Sequence, residues 1–315
     1  MEHFNPDLSL TSTQAAELLD VHPSTVKRWC NDGALASSKT GGGHRRIHLE
    51  DLQLFARENE IDTILSPFHP YEPHVWTALQ ELQDDDSFRR FHSLAMSWVF
   101  RGQLQRLHDL FLTLARSEII PFSRFCDEGI RGLMEQVGGA WHAGKLRAGE
   151  EHMVTQAMIE VLLEYRREVA GSLPRGHGER IAVVGSTEGN QHHLGSLCVR
   201  VLLERKGWEV YYLGPDVPVE DFGAIQEGRG AGLVCISLTP PATTGEVARL
   251  VRILSEFYHA EHPYTLALGG SLASPVDPEA TEGPFERVDM YGSCAELEMT
   301  LDQGGPIPRA EHVQA

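Results

Sequence analysis

The chain has 315 residues, 41% of them hydrophobic and 23% charged, with a formal net charge of −18; this composition leaves room for two or three hydrophobic cores and excludes a disordered chain. Such acidity excludes nonspecific nucleic-acid binding by the chain as a whole and confines any DNA contact to a locally basic patch. No run approaches the roughly 18 apolar residues of a membrane span, the opening MEHFNPDLSLTSTQ is neither basic nor apolar, and five scattered cysteines without a CxxC pair exclude a disulfide framework and a zinc site, so a cytoplasmic protein with no membrane partner is expected.

In chain order, LTSTQAAELLDVHPSTVKRWCNDGAL predicts a capped helix, a short turn and a second helix. Thr11 and Gln14 make a capping-box pattern, Ala15, Leu18 and Leu19 form an apolar face, and Pro23 suits a first helical turn. From Ser24 to Arg46 five basic residues (Lys27, Arg28, Lys39, Arg45 and Arg46) stand against one acid, Asp32, so the local field is positive. SSKTGGGHRRIHLEDL then predicts a two-stranded wing followed by a third helix from Glu50. These residues resemble the winged helix-turn-helix domains of MerR and excisionase-like transcription factors over residues 8 to 58. The resemblance assigns residues 1–60 to DNA binding, with Ser24, Thr25, Lys27, Arg28, Lys39, His44, Arg45 and Arg46 as the candidate contacts.

Residues 61–75 hold three prolines and few periodic apolar positions, which predicts a linker. Apolar residues at three- and four-residue spacing over 76–172 predict a bundle of four or five helices. Beyond Pro174 and Gly178 the pattern changes to short apolar runs alternating with helices: RIAVVGS, VYYLG, GLVCISLT and YTLALGG. That alternation predicts a parallel α/β sheet over 178–303, with a tail over 304–315, and ligands of such sheets lie beyond the carboxyl ends of the strands.

The loop GSTEGNQHHLG, residues 185–195, falls at that edge. His192 is followed after two residues by Gly195, then by Ser237 with Thr239 and by the pair Gly269–Gly270. Together these resemble the cobalamin-binding signature of flavodoxin-like domains, Asp-x-His-x-x-Gly followed by a Ser-x-Thr segment and a Gly-Gly pair. The resemblance implies that His192 is the lower cobalt ligand and that the small residues line a slot for the displaced nucleotide tail. His193 does not fit, because its register puts Ser196 at the glycine. Asn190 stands where the signature has an acid that supports the ligand histidine; Glu188 is the nearest carboxylate.

In GGAWHAGKLRAGEEHM, Trp141 is followed by His142 and, nine residues on, by Glu151 and His152. Taken alone, Trp141 reads as bundle core. Beside the cobalamin signature, Trp-x9-Glu-His resembles the capping motif of the CarH-like B12-dependent photoreceptor regulators of the MerR group, a likeness that now covers nearly the whole chain. It implies a winged helix-turn-helix, a four-helix bundle and a Rossmann-type cobalamin domain in that order, with adenosylcobalamin as cofactor. Trp141 and Glu151 then hold the adenosyl group, His152 completes the motif, and His142 is the upper cobalt ligand after photolysis. The implied protein is a non-enzymatic repressor, a homotetramer on operator DNA in the dark that light dissociates. Two alternatives stay open: a MerR-type regulator of another corrinoid, chromophore or protein signal, and a corrinoid protein of a methyltransferase system.

Overall fold

Local sequence chemistry fixes the first elements of the protein, a computed structural model of which describes residues 8–170, 180–190, 193–238, 243–270 and 278–303. The described chain divides into two units, Met1–Trp98 and Val99–Ala315, taken separately below.

The first unit begins with strand β1 (Ser9–Leu10) and helices α1 (Ser12–Leu18) and α2 (Pro23–Asn31). Thr11 and Gln14 form the expected reciprocal cap of α1, the Thr11 Oγ1 accepting from the Gln14 amide and the Gln14 Oε1 from the Thr11 amide. The tight turn between the helices places Asp20 in the left-handed region, at φ 49°, and His22 caps α2 through its ring nitrogen with Pro23 in the first turn. Strands β2 (Ser38–Lys39) and β3 (Arg45–His48) form the wing, pairing Ser38 with Arg46 and Lys39 with Arg45. Gly43, at φ +82°, closes the hairpin. The wing sheet has three strands rather than the expected two, because β1 pairs with the far edge of β3. Helix α3 (Leu49–Glu58) follows, and Leu10, Ala15, Leu18, Val26, Ile47 and Leu52 are buried.

Residues 61–75 are not the open linker expected. Leu65 and Phe68 are fully buried around a 3-10 turn at Ser66–Phe68, and α4 (Glu72–Asp84) begins inside the range. Pro67 and Pro73 occupy first-turn positions of these helices, where a missing N–H costs nothing, so the prolines start structure instead of interrupting it. The Phe68 ring lies parallel to that of Trp98, on α5 (Arg89–Val99), at 6.0 Å. The helices predicted over 76–172 are accordingly divided, α4 and most of α5 belonging with the first unit.

The second unit opens with α6 (Leu104–Ser117), then α7 (Phe122–Arg124), which continues through a π-helical stretch, Phe125–Arg131, into α8 (Gly132–His142). The long helix α9 (Ala148–Ala170) packs along α6, with Arg116 of α6 bridging Glu164 and Glu168 of α9. Five parallel strands follow: β4 (Ile181–Thr187), β5 (Glu209–Val217), β6 (Leu233–Ser237), β7 (Thr265–Gly269) and β8 (Arg287–Tyr291), in the order β5-β4-β6-β7-β8. Their crossovers are α10 (Leu194–Arg205), α11 (Val219–Arg229) and α12 (Thr244–Ser255), with α13 (Cys294–Asp302) last. Strand residues alternate between two cores. Val183, Val234, Ile236, Leu266 and Leu268 face one, with Phe222, Val247, Leu250 and Leu254, while the smaller Ala182, Val184, Cys235 and Ala267 face the other, with Leu203. The expected doubly wound parallel sheet is present; its edge strand β8 is the one the four apolar runs did not announce.

Candidate functional site

The carboxyl edge of the sheet is built by register. Ser186 pairs with Ser237, Ser237 with Gly269 and Gly269 with Tyr291, so the ends of four strands lie side by side. This brings Asn190, Ser237, Gly269 and Gly270 to one rim, and an ideal Cβ on Gly195, in the first turn of α10, would stand 3.8 Å from Ser237 Oγ. His192 and Thr239 lie outside the described residues. Asn190 is fully buried and its Nδ2 donates to the Ser237 carbonyl at 3.2 Å, a bond between the loop after β4 and the end of β6. Glu188 is half exposed and 3.9 Å from Arg249.

Beneath the rim is a hydroxyl cluster that the sequence did not mark. Ser186 Oγ donates to Ser196 Oγ at 3.0 Å, and Ser196 Oγ lies 2.9 Å from the His193 carbonyl and 3.3 Å from the Tyr212 hydroxyl. Burial pushes the Tyr212 phenol above its ordinary range, against the opposing hydrogen bond from Ser196. Asp216, left-handed at φ 57°, accepts from the Gly189 amide at 2.8 Å and ties the loop to the end of β5.

Whether this rim suits a bulky corrinoid with a nucleotide tail is tested by its glycines. Gly270 has φ +131°, and a Cβ there would come within 2.8 Å of the Leu238 carbonyl oxygen. Leu238 of the chain's own backbone accounts for that glycine, while Gly195, Ser237 and Gly269 put no bulky side chain on the described part of the rim and so fit a bulky group there.

The second set surrounds the α8–α9 turn. Trp141 is 45% exposed, which a core residue is not, and its ring meets that of His142 edge-on at 4.6 Å. His142 Nδ1 is 2.8 Å from the Gly138 carbonyl; a carbonyl only accepts, so the proton sits on Nδ1 and Nε2 carries the lone pair. Both oxygens of Glu151 are engaged, Oε1 by the Thr155 hydroxyl and Oε2 by His152 Nδ1, each at 2.9 Å. An open groove of about 360 Å³ adjoins them between α6 and α9, bordered by Leu104, His108, His152 and Met153.

In the first unit Lys27 and Arg28 on α2, and Lys39 and His44 on the wing, are exposed, with Arg45 and Arg46 half-buried along β3. Ser24 Oγ is held 2.7 Å from His22 Nδ1, and the Thr25 amide donates to the His22 carbonyl. Arg45 donates to Asn31 Oδ1, a link between wing and second helix that the sequence does not reveal.

Comparison with known proteins agrees with this division. Residues 9–60 match a helix-turn-helix domain, residues 98–164 a B12 binding domain of the helical kind, and residues 180–292 a B12 binding domain. Dimethylamine corrinoid protein 3 of Methanosarcina acetivorans is 28% identical over 144 residues, 45% of this chain and 65% of the relative. A corrinoid protein of Desulfitobacterium hafniense is 27% identical over 163 residues, 51% of this chain and 74% of that one. The chain spans a little under two thirds of the dimethylamine corrinoid proteins it matches. The monomethylamine corrinoid protein of Methanosarcina barkeri shares the fold at a TM-score of 0.50 and 19% identity, covering 67% of this chain and 96% of its own. No helix among the described residues is long and apolar enough to cross a membrane. The chain thus joins a helix-turn-helix domain to a helical and a Rossmann-like B12-binding domain.

Proposed function

We propose that this protein is a light-responsive, corrinoid-dependent transcription regulator, a repressor that binds operator DNA as a dark-state tetramer and releases it on illumination. The observation that supports the reading is the presence of a helix-turn-helix match and two B12-binding matches on one chain. Adenosylcobalamin, when bound, supplies a cobalt–carbon bond that visible light breaks.

The chain's own residues divide the remaining work. His192 would hold the cobalt, Gly195, Ser237, Thr239, Gly269 and Gly270 would leave room for the nucleotide tail, and Asn190 holds the loop to β6 by its bond to Ser237. Trp141 offers an exposed ring for stacking, and Glu151, steadied by Thr155 and His152, offers carboxylate oxygens to ribose hydroxyls. His142, whose Nδ1 is held by the Gly138 carbonyl, would offer Nε2 as a second imidazole ligand to the cobalt once the adenosyl group is gone. Assembly presents several copies of Lys27, Arg28, Arg45 and Arg46 to one operator, so its loss lowers avidity without altering the way any single copy meets the DNA. The experiment is size-exclusion of the adenosylcobalamin-loaded protein: an oligomer in the dark should shrink after green light, with the spectrum of a bis-imidazole corrinoid. An unchanged size and spectrum would contradict the reading.

A second reading is favoured by the relatives, which are named as corrinoid proteins of dimethylamine systems. In it the B12-binding domains carry a methyl group for a partner enzyme. Dark and lit samples would then have equal size, and in the dark the methylcobalamin-loaded protein would lose its methyl group only to an acceptor supplied with an added methyltransferase.

A further inference from the structure

Three of the five cysteines, far apart in sequence, meet in the second unit. Cys126 lies in the π-helical stretch between α7 and α8, Cys198 on α10, and Cys294 is the first residue of α13. The Cys126 thiol is hydrogen-bonded to both others, so one sulfur cluster straddles the seam between the helical segment and the sheet domain. Backbone contacts fix that seam. The Asp127 carboxylate accepts from the Cys294 and Ala295 amides at 2.9 Å each, capping α13, and Arg131 Nη1 donates to the Gly292 carbonyl at 2.8 Å. The same bonds hold the start of α13 against the π-helical stretch that carries Cys126.

The three thiols differ in access. Cys126 and Cys198 are buried and Cys294 is half-buried. Burial pushes Cys126 well above the ordinary thiol range; the hydrogen bond with Cys126 draws Cys294 down, but burial and the neighbouring Cys198 and Asp127 leave it raised. Raised in this way, Cys126 and Cys294 are thiols at neutral pH, and Cys294, half-buried at the start of α13, is the member that solvent reaches.

We propose that Cys126 and Cys294 are a two-electron redox couple, oxidised by a hydroperoxide to a disulfide that fastens the helical segment to the sheet domain. In the first step the Cys294 sulfur attacks the peroxide, the O–O bond breaks, an alcohol or water leaves, and Cys294 becomes a sulfenic acid. In the second the Cys126 sulfur attacks the Cys294 sulfur, the S–S bond forms, and the hydroxyl leaves with the Cys126 proton as water. Two thiols give up two electrons and the peroxide accepts both. Cys198, inside α10, keeps its thiol. In the regulator proposed above the bond would hold the helical segment seated through illumination; that consequence rests on the light-response reading, whereas the couple itself does not.

The test uses the full-length protein, cofactor-free and cobalamin-loaded, treated with hydrogen peroxide, then unfolded, alkylated and mapped by mass spectrometry. Two of the five thiols should disappear, a peptide linking Cys126 to Cys294 should form, and dithiothreitol should restore both. Cys198→Ala should still form the link and Cys294→Ser should lose no thiol pair. Retention of all five thiols in the folded protein at a peroxide dose that oxidises the urea-unfolded chain would overturn the proposal. So would a link from Cys126 to Cys198 or to a second chain. The mapping is done in the dark, so a protein that failed to respond to light would leave this result standing.

Discussion

Asn190 and Gly270 show how much of the rim is a matter of single atoms. Asn190 is fully buried with its Nδ2 against the Ser237 carbonyl, so Asn190→Asp would replace a donor by a carboxylate oxygen facing another oxygen. The cofactor-free variant should lose about 2 kcal/mol in urea unfolding; unchanged stability would remove Asn190 from its bridging role. Gly270→Ala forces a Cβ to within 2.8 Å of a carbonyl at φ +131°, while Gly269→Ala meets its nearest backbone oxygen at 3.5 Å. The first should cost about 1–3 kcal/mol, and the second distinctly less, in the same assay. Cys235 gives a pH dependence, since burial in β6 pushes its thiol up to about 12 from 9.0. Its protonated form is favoured by folding, so that stability is whole below pH 9 and falls as pH rises toward 12, by about 1.4 kcal/mol per pH unit. Cys235→Ala should flatten that part of the alkaline curve in urea titrations from pH 9 to 10. The small residues of the rim were legible because their spacing is a linear pattern. The Asn190–Ser237 bond and the sulfur cluster were not, because each joins residues that only the strand and helix order brings together.

At the scale of elements, patterns with a local cause were readable and those with a distant cause were not. The capping box of α1, the proline opening α2 and the glycine turn of the wing each follow from neighbours in sequence. Strand β1 is two residues long and exists through its pairing with β3; β8 is a half-buried edge strand without a full apolar run. Residues 61–75 misled because proline marks both linkers and helix starts, and the burial of Leu65 and Phe68 decides between them. The wing carries its own prediction. With Arg45 joined to Asn31, β3 and α2 present one basic surface, and Arg45→Ala with Arg46→Ala should reduce the slope of log affinity against log salt by about 0.9 for each phosphate no longer neutralised. Fluorescence anisotropy of a labelled duplex over a salt series measures this, and an unaltered slope would take the wing out of the interface.

The whole molecule joins a basic N-terminal surface to a chain of net charge −18; in the regulator proposed above, DNA affinity is set at that surface and its control belongs to the second unit. Trp141→Ala should keep lower-face corrinoid binding but fail to assemble fully in the dark, because an exposed ring at the α8–α9 turn is removed without opening the core. Light scattering on the loaded variant reads this directly; assembly and light response like the parent's would put sensing elsewhere. The most direct measurement of the central claim is the affinity of the full-length, adenosylcobalamin-loaded protein for a duplex it enriches from a randomised pool, taken in the dark and again after green light on the same sample. Affinity should fall at least tenfold on illumination and only for the loaded protein, whereas equal affinity in dark and light, with the cobalt–carbon bond shown to be broken, would contradict a light-controlled regulator.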